Sequence, residues 1–236
     1  MVNKVFTLKK NARLAGLLYL LVIITGVYSV IFVSSRIFVQ GDVITTCKNI
    51  LANEFLFRTS IINDFISNTI FLLLVLVLYR LFKQVNEHQA KLMVAFVIVQ
   101  IPFVFFIEAL NITSLMIVKA EILKTLEPGQ RQDLLMLLFK INEYGALTLE
   151  IFWGLWLIPL GQLVYKSMFI PRIFGILLIV AGIAYINDSF VAILFPSYNP
   201  IFSKPTLLLV AIGEISIMLW LLIKGAKNNI STIEKQ

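Results

Sequence analysis

Six stretches of this chain are apolar for about the 20 residues that a membrane-spanning helix needs, and five of them carry a carboxylic acid within the apolar run. The stretches are Leu14–Val33, Thr59–Tyr79, Leu92–Val118, Ile141–Tyr165, Ile173–Leu194 and Pro205–Ile223. Only the first reaches membrane length without a charge; the others contain Asp64, Glu108, Glu150, Asp188 and Glu214. Spans of this length predict an all-α fold, a polytopic transmembrane bundle of six helices forming one integral membrane domain over residues 1–236.

Composition agrees. The chain is 59% hydrophobic and 14% charged, with a mean hydropathy of +0.93, whereas soluble domains run at about 45–50% and about 25%. A net charge of +7 does not imply nucleic acid, because the basic residues are spread along short loops and build no soluble basic face. Lys9, Lys10 and Arg13 precede the first span as in a signal peptide, but its uncharged run of 20 residues exceeds a signal core of about 7–15. It is read as a retained span. With the N-terminus inside, twelve Lys and Arg residues fall in inside segments, Lys4, Lys227 and Lys235 among them, against eight outside. That bias predicts cytoplasmic termini in a bacterial inner membrane. Cys47, the single cysteine, cannot form an internal disulfide, and the single histidine, His88, excludes bis-histidine haem and His-rich metal sites. No cofactor is implied.

Two outer connections carry helical patterns. "GDVITTCKNILANEFLF" places Val43, Cys47, Ile50, Leu51 and Phe55 at helical spacing with Asp42 as N-cap, which predicts a short interfacial helix. "EPGQRQDLLMLLFK" starts another after a Pro-Gly break, running on into the fourth span.

Each buried acid costs about 2.5–3.5 kcal/mol at the bilayer centre on insertion scales. Converted to depth at about 1.5 Å per residue, Asp64 and Asp188 lie roughly 8–9 Å below the outer ends of their spans, and Glu108, Glu150 and Glu214 roughly 13–15 Å. No lysine or arginine lies inside the spans; Arg58 and Lys140 at outer ends are the nearest. Asn63, Asn68, Asn111, Asn187 and Tyr185 are candidate hydrogen-bonding partners, with Asn68 and Tyr185 as supporting residues. Each acid has three readings: a neutral helix tie, part of a proton or small-cation site, or a catalytic acid. Five at similar depth favour a polar cavity in the outer half of the bilayer.

Four segments carry a family resemblance: "NARLAGLLYLLVIITGVYS", "LANEFLFRTSIINDF", "GLWLIPLGQLVYKSMFIPRIFGILLIVAGIAYINDSF" and "GEISIMLWLLIKG". Through them the chain resembles, from Asn11 to Lys227, the bacterial integral-membrane proteins grouped as domain-of-unknown-function family 4386. The resemblance implies a polytopic bacterial membrane protein and no activity. Asp64, Asp188 and Glu214 fall inside the matching segments, while Glu108 and Glu150 fit them less clearly.

Three functions remain open. A small transporter or ion- or proton-coupled carrier places its coupling site near the midplane. Pro102 and Pro159 inside spans, and Gly182 and Gly213 beside acids, are interruptions of the kind found in broken helices. "IINDF" and "YINDSF" look alike, but both fall on the outer side, so they do not mark an inverted repeat. An intramembrane hydrolase using Asp64 and Asp188 as acid and base lacks every usual signature, so an enzyme is disfavoured. A non-catalytic accessory, sensor or stress-response protein needs only lipid and membrane-helix partners. Ala12-x-x-x-Gly16 is a small-residue pattern suited to homo-oligomer contact or, more simply, to packing within the chain.

Overall fold

The structure, a computed structural model, describes residues 2–226; Lys227 and Lys235, counted in the charge bias, lie outside the described residues. In chain order the elements are α1 (Val2–Val27), a π-helical turn (Tyr28–Val33), α2 (Ser34–Ile37), α3 (Val43–Ala52), α4 (Glu54–Phe82), α5 (Glu87–Val118), α6 (Pro128–Lys166), α7 (Arg172–Leu194), a 3₁₀ turn (Pro196–Tyr198) and α8 (Asn199–Ile223). There is no strand among the described residues.

Six helical stretches are long and apolar enough to cross a membrane: Leu8–Ile37, Glu54–Phe82, Glu87–Val118, Pro128–Lys166, Arg172–Leu194 and Pro196–Ile223. Each contains one of the six apolar stretches. Most overrun it because a helix need not end where hydrocarbon ends. The 29 residues of α4 extend about 43 Å, against a hydrocarbon core of about 30 Å. Pro128 opens α6, where a missing N–H costs nothing, and the segment read as a second short helix is the start of this single 39-residue helix. Pro102 and Pro159 do not break their helices; α5 and α6 run through them.

The short helix α3 forms as expected, but its packed face is rotated. Asp42 caps it, accepting from the Thr45 backbone N–H at 2.9 Å and from Thr45 Oγ1 at 2.6 Å. Thr46 and Ile50 are the buried residues, whereas Leu51 and Phe55 stay exposed. Thr46 wins its place because its hydroxyl serves both neighbours. It accepts from the Val39 N–H at 3.0 Å and donates to the Asp42 carbonyl at 2.8 Å. Periodicity alone does not see that pairing.

The chain forms two compact units, to both of which α1, α4, α5 and α6 contribute. One comprises Leu21–Ile70 and Ile101–Ala146. Its core joins Val33, Ile37, Ile50, Phe57, Ile61 and Leu115, with the Phe38 ring edge-on to Phe57 and Phe139. The π-helical turn matters here. Its widened ladder, in which the Ser34 N–H bonds the Ser29 carbonyl five residues back, shifts the side chains that follow and places Ser29 toward α4.

The other unit takes in the described residues of Met1–Leu20, Phe71–Gln100 and Leu147–Gln236. Glycines set its spacing. A methyl group on Gly182 would lie 2.7 Å from the Gly154 carbonyl oxygen; one on Gly161 would lie 2.7 Å from that of Gly175, and one on Gly175 2.6 Å from that of Gly161. Thus α6 and α7 touch backbone to backbone at two levels, as small residues allow in membranes. Gly213 brings α8 against Leu177 and Ala181 of α7, and Gly16 brings α1 against Leu221 and Leu222 of α8. The Ala12-x-x-x-Gly16 face is therefore occupied within the chain, with Ala12 fully buried.

Two outcomes follow for purified protein in lipid nanodiscs. Gly182→Ala lowers stability by about 1–3 kcal/mol, since backbone cannot yield to the new methyl. Gly26→Ala, with nothing within 4 Å, is neutral or gains up to about 1 kcal/mol from helix propensity. Thermal unfolding distinguishes the two. In α3, the bonds from Thr45 hold the Asp42 carboxyl below the usual carboxylate range. A lowered folded value contributes stability that is present above the unfolded value and lost as pH falls through the folded one. Hydrogen-exchange protection of the first turn of α3 therefore weakens in acid, and Asp42→Ala loses that pH dependence.

Candidate functional site

The five acids fall into two groups, one in each unit. In the first, Asp64 on α4 and Glu108 on α5 interact through their side chains. Glu108 is only 4% exposed. A bond between two carboxyl groups needs a proton on one of them, because ionised carboxylates only accept.

Neutral groups from four helical segments hold this pair. Ser29 Oγ donates to Asp64 Oδ1 at 2.6 Å. Asn63 Nδ2 reaches the Thr25 carbonyl at 2.9 Å, Ser29 Oγ at 2.8 Å and, more distantly, Asp64 Oδ1 at 3.4 Å. On the other side, Asn111 Nδ2 donates to Glu108 Oε2 at 3.0 Å, and Asn142 Nδ2 donates to Asn111 Oδ1 at 2.8 Å. The result is a chain of polar contacts: Ser29 from the π-helical turn, Asp64 from α4, Glu108 and Asn111 from α5, and Asn142 from α6. Asn68, proposed as a supporting residue, bonds the backbone carbonyl of Asp64 at 2.8 Å and not its carboxyl group.

The second group contains Glu214, Glu150 and Asp188. Tyr19 OH donates to Glu214 Oε2 at 2.9 Å. Tyr19 is 1% exposed, and its ring lies 6.0 Å from that of Trp156. Tyr185, the other proposed supporting residue, interacts electrostatically with both Glu214 and Glu150, and its ring stands edge-on to Trp153. Glu150 feels the charge of Asp188. Asp188 is 6% exposed. Asp188 Oδ1 and Glu150 Oε2 are buried without a hydrogen-bond partner among the described residues.

Among the described residues no ion pair engages either group. Among the described residues the ion pairs engage Glu54, Glu87, Glu121 and Glu143 instead. Arg58 is bound to Glu54 at 2.8 Å and Lys140 to Glu143 at 2.7 Å, so neither nearby base reaches a buried acid. No set of three or more His, Cys, Asp or Glu residues among the described residues is arranged to hold a metal ion.

A groove of about 530 Å³ opens on the first unit, lined by Ile24, Thr25 and Tyr28 on one side and Phe55, Arg58, Thr59, Ile62, Asn63 and Ile66 on the other. None of the five acids lines it; Asn63 connects its wall to Asp64.

Sequence reasoning missed Ser29, Tyr19 and Asn142. Ser29 and Tyr19 lie in the uncharged first span, where no acid drew attention to the polar residues. The available signal was that a hydroxyl in a lipid-length helix needs a partner, and an acid is the strongest one on offer.

An uncharacterised protein from Archaeoglobus fulgidus is 37% identical over 95 residues, which covers 38% of this chain and 55% of that protein. The chain therefore spans about half the length of this relative. No solved structure matches. A family model matches almost the whole stretch from the first span to the last, residues 14–225, and the chain belongs to that family of membrane proteins, described as domain of unknown function DUF4386.

Proposed function

We propose that this protein is a proton-coupled carrier of a bacterial cytoplasmic membrane, with both termini in the cytoplasm and Asp64 and Glu108 as its proton-binding pair. One observation carries the reading: two carboxyl groups from neighbouring helices interact within a membrane-spanning unit, and among the described residues no ion pair engages either. Such a pair takes up or releases one proton at modest cost, because the remaining charge is shared and solvated by Ser29, Asn63 and Asn111. Intramembrane acids facing a packed interior are the usual elements of proton relays. Glu150 and Asp188 offer two further buried oxygens for a proton or small cation.

A structural reading is favoured at one position. The Tyr19–Glu214 bond, 2.9 Å long and part-buried with Tyr19 itself 1% exposed, suits a tie between α1 and α8. The hydrolase reading, which needs Asp64 and Asp188 as one acid–base pair, has no such support: Asp64 is engaged with Glu108, and Asp188 with Glu150.

Infrared difference spectroscopy in nanodiscs between neutral and alkaline pH tests the assignment. Wild type shows a protonated-carboxyl band that titrates. Asp64→Asn and Glu108→Gln each remove the same component of it, leaving that of Glu150, Asp188 and Glu214, in a folded protein, because an amide can take the place of the protonated acid. A band unchanged in both variants overturns the proton-pair assignment. In the same preparations Tyr19→Phe lowers thermal stability by about 1–3 kcal/mol, the cost of a buried acid losing its donor, without altering that component.

A further inference from the structure

The groove on the first unit is largely apolar and carries a single guanidinium, that of Arg58. It follows α4 from Phe55 to Ile66, about 16 Å of helix. Its volume of about 530 Å³ is in the range of small-molecule sites. Phe55, Arg58, Thr59 and Tyr28 lie toward the start of α4, and Ile24, Ile62 and Ile66, with Thr25 and Asn63, line the rest. Because α4 overruns the hydrocarbon core by about 13 Å in total, Arg58 in its second turn sits at the level of the headgroups.

Arg58 retains capacity for a ligand. Its Nε and Nη2 both bind Glu54 Oε1, which uses two of five N–H donors. Its side chain is 52% exposed. Lys119 shares the same Glu54 oxygen at 3.2 Å and binds Glu121 at 3.0 Å, so the Glu54 carboxylate is divided between two cations. No acid lines the groove. At its mouth Tyr28 OH donates to Thr59 Oγ1 at 2.9 Å, and the Thr59 hydroxyl donates to the Leu56 carbonyl at 2.9 Å, which leaves Arg58 as the donor available to a ligand.

We infer that this groove is a binding site for an anionic phospholipid, its phosphate at Arg58 and one acyl chain along Ile62, Ile66 and Ile24. The site uses none of the proton-pair residues, although Asn63 in its wall touches Asp64.

Native mass spectrometry after detergent exchange tests it, starting from nanodiscs of phosphatidylcholine with or without phosphatidylglycerol. Wild type retains one phosphatidylglycerol with about tenfold preference over phosphatidylcholine, the value of one charge-assisted contact. Arg58→Gln abolishes the preference. Ile66→Trp, at a half-exposed position, fills the acyl slot and loses retained lipid while its melting temperature stays unchanged, so it decides the matter even if Arg58→Gln folds poorly. Equal retention of the two lipids by wild type, or undiminished phosphatidylglycerol on Ile66→Trp, overturns the assignment. So does stabilisation of the same size by inorganic phosphate alone. The infrared band of the proton pair is read on the same samples and reports separately on the carrier reading.

Discussion

The backbone contact between α6 and α7 is the constraint from which the geometry of one unit follows. In a bilayer, lipid tails are as apolar as leucine, so helices gain little by burying large side chains against each other and more by approaching closely. Here the approach is fixed at two levels, Gly154 with Gly182 and Gly161 with Gly175. Both pairs are seven residues apart on each helix, and both obey the same antiparallel register. That register sets Leu147 level with Ser189, whose hydroxyl donates to the Leu147 carbonyl at 2.7 Å. It also sets Glu150 level with Ile186, within two residues of Asp188. The electrostatic contact between these acids is thus a product of glycine packing elsewhere on the same two helices.

The other unit solves the same problem, a carboxyl group in hydrocarbon, by different means. Glu108 and Asp64 interact with each other, with the Ser29 hydroxyl and the Asn63 amide on Asp64 and the Asn111 amide on Glu108. Asn111 both donates to Glu108 and accepts from Asn142, so polarity passes from α5 to α6 without a formal positive charge. Removing two charges from water costs more than an exposed ion pair returns. A network of neutral donors avoids much of that cost.

What could be read in the sequence divides along physical lines. The spans were legible because the bilayer imposes length and apolarity directly on the chain; each apolar stretch lies in one long helix. The Asp42 cap was legible because capping is local. The partners of the acids were only partly so. Asn63 and Asn111, one and three residues from their acids, were candidates by spacing alone, whereas Ser29, Asn142 and Tyr19 lie between 31 and 195 positions from the residues they bond. The grouping of the acids was not legible at all, because depth along a span says nothing about which helices are neighbours. The face of α3 was misjudged for a similar reason: Thr46 is buried by a hydroxyl that satisfies backbone, a gain that hydrophobic spacing does not register.

The paired glycines also limit how this molecule can move. Sliding α7 along α6 by a single turn would drive side chains into backbone, and the glycines come back into register only after seven residues, about 10 Å of travel. Within their unit these two helices therefore behave as one beam. Any rocking or gating must be borne by segments with softer joints. The π-helical turn between α1 and α2, with its widened hydrogen-bond ladder beside Asp64, is such a joint.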